Sequence, residues 1–204
     1  YTDVRHSLGA VDDEKGLGWS AVAKASHISS GTPVQVRGTL DYGVALPLAH
    51  SSLGLRSAAG ASSGDRVNPV ANFYFGGFGN NYVDSGEEKR YRDYDSLPGF
   101  GIDEISAQRY VRQMVEWNLP PVIFESVGTP GFYLTSLRPA AFVTGLWTDP
   151  GGDTRKSYTS VGAQFDLKFH VLHWYDMTLS VGYAVGITNS RRTGDEFMIS
   201  LKIL

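Results

Sequence analysis

Residues 160–171 read SVGAQFDLKFHV, and this stretch decides the fold. Val161, Ala163, Phe165, Leu167, Phe169 and Val171 fall on one side of an extended chain, and Gly162, Gln164, Asp166, Lys168 and His170 on the other. Side chains alternate faces in a strand, so a period of two held over twelve residues predicts one strand with a greasy face and a polar face. The environment of each face then fixes what kind of protein this is.

The same alternation repeats outward from there. In TLSVGYAVGI (178–187), Leu179, Val181, Tyr183, Val185 and Ile187 oppose Thr178, Ser180, Gly182, Ala184 and Gly186. In VQVRGTLDYGVAL (34–46) the apolar side is Val34, Val36, Leu40, Tyr42, Val44 and Leu46, against Gln35, Arg37, Thr39 and Asp41. The final stretch puts Phe197, Ile199, Leu201 and Ile203 on one side and Met198, Ser200 and Lys202 on the other. Nine strands are expected, near 2–11, 17–28, 33–46, 50–60, 106–119, 132–148, 157–171, 175–188 and 195–204. The breakers between them include DDEKG, SSGT, PLAHS, DPGGDTRK, HWYD and NSRRTGD. Several of these strands exceed the usual globular length of about 5–6 residues and match the roughly 9–11 that cross a bilayer.

Composition agrees with an all-β chain. The 204 residues include 24 Gly, 11 Tyr, 10 Phe and 4 Trp. A net charge of -3 speaks against a broad electrostatic attraction to nucleic acid. The absence of cysteine removes any disulfide framework, thiolate metal site or cysteine nucleophile. No run reaches the roughly 18 apolar residues of a membrane helix, and mean hydropathy is -0.18, a value that carries little weight for barrels because one face of each strand is polar. The chain opens YTDVRHSLGA, already strand-like and without a signal peptide, so it is expected to start at a mature terminus or inside a longer protein.

Alternation alone also fits a soluble antiparallel sandwich, or a lipocalin-like barrel with its apolar residues turned inward. A membrane barrel is the inverse, apolar outside and polar within. Three features favour the membrane form: long strands, lopsided loop lengths, and aromatics near strand ends (Trp19, Tyr42, Trp117, Tyr133, Trp147, Trp174, Tyr175). The expected fold is therefore an antiparallel transmembrane β-barrel, with residues 1–204 forming a single barrel segment. Bacterial single-chain barrels have an even number of strands and leave no edge in lipid, so further strands are expected upstream of Tyr1.

Residues 61–105 break the rhythm with about 45 residues rich in aromatics, among them Phe73, Phe75, Phe78, Tyr91, Tyr94 and Phe100. A connection of this length is usually functional or disordered, and its aromatics need a surface to bury against; a barrel interior provides one, as does self-packing at the surface. Here FYFGG (73–77), the arginine-containing KRYRDYDSLPGF (89–100) and the following strand ending VEWNLPP (115–121) together resemble the C-terminal barrel of the Omp85 superfamily, the BamA/TamA type. The resemblance covers roughly residues 50–204. It implies a sixteen-stranded barrel whose sixth extracellular loop folds into the lumen, with four strands here before that loop and five after it. It also implies an arginine in an Arg-Gly-aromatic motif, which this chain lacks: the nearest stretches are NNYVD (80–84) and KRYRDYDSLPGF, and the latter supplies Arg90 and Arg92. A divergent branch, similar to surface-antigen barrels, is expected.

On this reading the lumen loop uses Gly76, Gly77, Arg90, Arg92 and Tyr94, and the lumen wall carries Arg37, Asp41, Arg56, Arg112, Glu116, Arg138, Asp166 and Lys168. A buried arginine needs a partner, which makes Glu116 and Asp166 the candidate counter-ions; a wet lumen of mixed charge without a special pair is the alternative. The terminal strand, with Phe197, Ile199, Leu201 and Ile203, is the expected seam strand. No enzyme, metal or cofactor is expected. The histidines His6, His27, His50, His170 and His173 have no zinc spacing, Gly-x-Ser-x-Gly is absent, no marked nucleophile accompanies His170 with Ser160 or Ser180, and GGFGNN (76–81) is not a phosphate loop. The proline-rich stretch 118–133 reads as a periplasmic connector.

By resemblance, the expected function is insertion or translocation of proteins at the outer membrane of a Gram-negative-type bacterium. Its partners would be outer-membrane lipid, client outer-membrane proteins and accessory envelope subunits. A passive barrel (a porin or membrane anchor) and a soluble lipocalin-like binding domain are the alternatives.

Overall fold

The structure, a computed structural model, describes residues 1–5, 15–27, 31–48, 50–78, 83–84, 89–152, 154–172 and 174–203. Nine antiparallel strands run as a meander: β1 (Thr2–Arg5), β2 (Lys15–Ala25), β3 (Val34–Ala45), β4 (Ser52–Ser62), β8 (Arg109–Asn118), β11 (Phe132–Thr148), β12 (Lys156–Val171), β13 (Tyr175–Thr188) and β14 (Arg191–Ile203). Between β4 and β8 lie the short β5 (Phe73–Phe75), β6 (Val83–Asp84) and β7 (Ile105–Ala107). Between β8 and β11, β9 (Val122–Ile123) and β10 (Gly128–Thr129) pair along the exposed lower part of β11. Among the described residues there is no α-helix, only 3₁₀ turns at Pro69–Ala71 and Arg90–Arg92.

The strands expected at 132–148 and 175–188 form over those residues, the first with a register shift between Leu134 and Ser136. The expected strand at 106–119 is divided. Ile105–Ala107 turns away to pair with Phe73–Phe75, and the sheet strand begins only at Arg109. Much of the expected 2–11 strand lies outside the described residues. The hairpin between β13 and β14 turns on Asn189 and Ser190, both at positive φ (51° and 62°), which matches the twist of the flanking strands.

The sheet is open: among the described residues β1 and β14 are not paired with each other, so no barrel closes within this chain. The outer edge of β14 instead carries β6, which pairs with it in parallel.

The two faces of this sheet differ in an unusual way. In β12, Val161 and Phe165 are 42% and 50% exposed, whereas the polar Ser160, Gln164 and Asp166 are 0% exposed. The same holds from β4 to β14, while on β2 both faces are largely exposed. Trp19, Leu40, Tyr42, Leu55, Val115, Trp117, Val143, Phe197 and Ile199 are exposed, while Arg112, Glu116, Thr144, Thr178 and Ser180 are buried. Residues 63–78 and 89–107 cover the polar face. Their apolar residues form two cores with it: Phe73, Phe75, Leu97, Phe100 and Ile105 pack with Tyr110 and Leu146, and Phe78 and Tyr91 pack with Met114, Phe142 and Met198.

Candidate functional site

The site is built where residues 89–99 cross the polar face. Its centre is Glu116 on β8, 1% exposed. Arg92 grips this carboxylate two-handed, with Nε donating to Oε2 at 2.9 Å and Nη2 to Oε1 at 2.6 Å. Lys89, also buried, adds a second cation 3.6 Å from Oε1 and donates to the Asn118 side chain. Two positive groups on one carboxylate hold it ionised despite its burial, and the fork geometry of arginine fixes the direction of the loop as well as its depth.

Strand neighbours of Glu116 extend the grip. Arg112 lies four residues earlier on the same face, and its Nη2 donates to the carbonyls of Tyr91 (3.1 Å) and Ser96 (3.2 Å). From β3, Arg37 makes a double hydrogen bond to Asp95 (2.5 and 3.2 Å) and lies over the Phe73 ring, 5.5 Å from its centroid. Tyr94 donates to Asp41 at 2.5 Å; burial, reinforced by this hydrogen bond to a carboxylate, pushes its phenol up to about 12. Tyr91 stacks on Phe142 with ring centroids 4.1 Å apart, and burial raises its phenol well above the ordinary value. Ser160 on β12 donates to the Pro98 carbonyl at 2.6 Å.

The loop's far end reaches the last strand. Glu196 on β14 accepts the backbone N–H of Phe78 (3.1 Å) on one oxygen and that of Gly99 (3.0 Å) on the other. Gly99 sits at φ +90° directly against the sheet, where a Cβ would lie 2.3 Å from the Gly186 amide nitrogen. Gly186 and Gly194 are cross-strand partners beside a bulge, so three glycines meet where the loop backbone touches the sheet. Gly76 needs the same freedom, since a Cβ there would lie 1.9 Å from the Gly101 carbonyl oxygen. Gly77 donates to the Phe100 carbonyl and accepts from the Leu97 amide, so both glycines serve the loop's internal fold. Beside the Arg92–Glu116 pair, an open cleft of about 220 Å³ is lined by Lys15, Asp41, Arg56, Arg92, Glu116 and Asn118 among others.

Of the residues singled out from sequence, the structure brings Arg92, Tyr94 and Glu116 together on this face. Asp166 is engaged elsewhere. It accepts from Gln164 and Ser180 (2.6 Å each), two side chains on its own face of the sheet. Arg90 opens the same 3₁₀ turn as Arg92. Phe197, Ile199 and Ile203 are exposed and Leu201 is half-buried. Tyr133 does not join the aromatics of the apolar face but stacks on His170, which pairs with Asp176. Ser160 and Ser180 are bonded to Pro98 and Asp166, so neither addresses His170. His6 and His173, and part of NNYVD, lie outside the described residues. Among the described residues no group of three His, Asp or Glu is placed to hold a metal ion.

Sequence reasoning missed Lys89, Asp95, Arg112 as a carbonyl clamp, and Glu196. A charge on the polar face of a strand was the available signal for Arg112 and Glu196. Nothing in spacing reveals a partner about a hundred residues away.

Comparison with known proteins adds no relative, since no family model, curated protein or solved structure matches this chain.

Proposed function

We propose that this chain forms the C-terminal strands of an outer-membrane β-barrel of the Omp85 type, which assists insertion or translocation of proteins at that membrane. The observation that carries the reading is the inverted sheet, with an apolar face left bare and a charged face buried under a loop. In water, exposing Trp19, Leu40, Val115, Val143, Phe165, Phe197 and Ile199 while burying Arg112, Glu116 and Asp166 reverses the direction of the hydrophobic effect. In lipid it is the expected arrangement. The outer face then meets hydrocarbon, the loop fills the lumen, and upstream strands complete the wall between β1 and β14.

The arginine-to-carboxylate lock between Arg92 and Glu116 supports the Omp85 reading over a passive anchor, because an anchor has no need of a plug fastened this firmly. Client strands would be templated at the seam beside β14 by backbone pairing, so the reading calls for no catalytic residue.

The test has two parts. The full-length protein extracted from membranes is run on SDS gels with and without boiling, after carbonate washing of the membranes. Faster migration of the unheated form and retention in the carbonate pellet are expected. A soluble protein without a heat shift overturns the membrane reading. Arg92→Ala is then compared with the parent for folding of a urea-denatured eight-stranded barrel in liposomes. A loss of tenfold or more is expected, and full activity from a folded variant returns the protein to the class of passive barrels.

A further inference from the structure

At the end of the sheet where the long loop enters, the cations are of two kinds. Arg66 pairs with Asp149, and Arg192 pairs with Asp195 at 2.7 Å. The side chains of Arg155, Lys156 and Arg191 make no hydrogen bond or ion pair with a described residue. Arg155 and Lys156 line a notch of about 390 Å³ between the β11–β12 and β13–β14 hairpin ends, together with Ser157, Tyr158, Thr188 and Asn189. Arg191 stands beside it as the cross-strand partner of Thr188. No carboxylate is among the described residues that line the notch, and the Thr188 hydroxyl is buried without a hydrogen-bond partner there. The same two strands carry a second concavity. On the bare face, a groove of about 220 Å³ runs over Ala163 and Val181 between the exposed rings of Phe165, Tyr183 and Phe197.

Three cations without acids around one notch call for an anion from outside, and a phosphate suits the arginine fork. The pair Tyr158–Thr188 at the notch and the pair Ala163–Tyr183 in the groove are five rungs apart on one ladder. That is roughly 17 Å along the strands, or about 13 Å along a membrane normal at the usual strand tilt. Half of a hydrocarbon core measures about 15 Å, so a head group at the notch lays its acyl chain across the groove. We infer that β12 and β13 form a site for one anionic lipid: Arg155, Lys156 and Arg191 hold its phosphate, and a chain lies over Ala163 against Phe165 and Phe197. The lipid rests on the membrane reading given above, in which this end of the sheet faces the outer leaflet.

The test uses the full-length protein carrying Phe165→Trp, which places an indole in the groove wall; its signal is the difference from the unsubstituted protein. The protein is reconstituted in phosphatidylcholine vesicles with a rising share of lipid brominated in its chains, either phosphatidylglycerol or phosphatidylcholine. Brominated phosphatidylglycerol is expected to quench the introduced indole at a share about fivefold lower, the worth of one basic residue beside an anionic head. Arg155→Ser, Lys156→Ser and Arg191→Ser combined are expected to erase this preference while both lipids still quench, with each single change falling between. The heat shift on SDS gels checks that each variant is folded, and if the triple variant loses it the single changes decide. Ala163→Leu, which fills the groove, is expected to weaken the preference, and an unchanged preference removes the groove from the site. Equal quenching by the two lipids before any cation is changed, or a preference that survives their loss, overturns the site alone. A preference abolished by millimolar inorganic phosphate, but not by sodium chloride of matched ionic strength, makes the notch a site for free phosphate and overturns the lipid assignment. Absence of quenching by either lipid overturns the membrane reading, and the site with it.

Discussion

Along β12 the two faces obey opposite rules. Phe165 and Val161 stand bare while Gln164 and Asp166, one residue away, are sealed off from solvent. On the bare face, stability depends on what lies outside the protein. On the covered face it depends on the loop, which supplies cations for Glu116, an acid for Arg37, carbonyls for Arg112 and amides for Glu196. A charge can be buried cheaply only when its partners come with it, and here all but the Phe78 amide come from the eleven residues 89–99. The comparison teaches that the loop is part of the polar face rather than an ornament on it.

The sharpest way to break that contrast is at Glu116. Glu116→Ala leaves Arg92 and Lys89 without their shared carboxylate, and a cost of about 3–5 kcal/mol is expected, read from the urea midpoint of the folded form. Proteolysis within residues 89–99 should rise in parallel. Next comes the opposite face: Phe165→Arg is expected to cost about 2–4 kcal/mol if that face meets hydrocarbon. On a water-facing surface the same change stays within about 0.5 kcal/mol, so this variant decides between the two environments. Gly99→Ala should cost about 1–3 kcal/mol from backbone strain at positive φ, with the loop pushed off Gly186 and its amides exchanging faster.

The smallest effect is electrostatic. The Tyr94 phenol is raised in the folded protein, so its contribution is complete below pH 10 and fades as pH climbs from 10 towards 12. Tyr94 is one of several tyrosines raised by burial, and phenolate absorbance at 295 nm should lose one late-titrating tyrosine in Tyr94→Phe. A Tyr94 that titrates with the exposed tyrosines would show that its bond to Asp41 does not hold in solution.

The strands were legible because period two is a local property. Phe132–Thr148 and Tyr175–Thr188 can be drawn from sequence to the residue. The split of 105–118 was not, because Ile105–Ala107 alternates like a strand whichever partner it takes, and its choice of Phe73–Phe75 is a tertiary matter. At the site, Glu116 and Arg92 stood out as opposite charges that both needed burial. Asp166 stood out for the same reason, yet Ser180 and Gln164 donate to its Oδ1 from within the sheet, which no count of charges distinguishes. Glu196 escaped because its partners are backbone amides, which have no sequence signature.

The glycine-lined contact of Gly99 with the last hairpin also sets a schedule for assembly. Arg37 and Asp95 are separated by 58 residues, and Gly99 and Glu196 by 97. Loop closure over such spans is slow and comes late in folding. The plug therefore cannot finish seating until the final hairpin has been made and delivered. A chain lacking Glu196 would keep the loop's contacts with β3 and β8 but lose the acceptor for the Phe78 and Gly99 amides, so a fully bonded loop reports that the β13–β14 hairpin is in place.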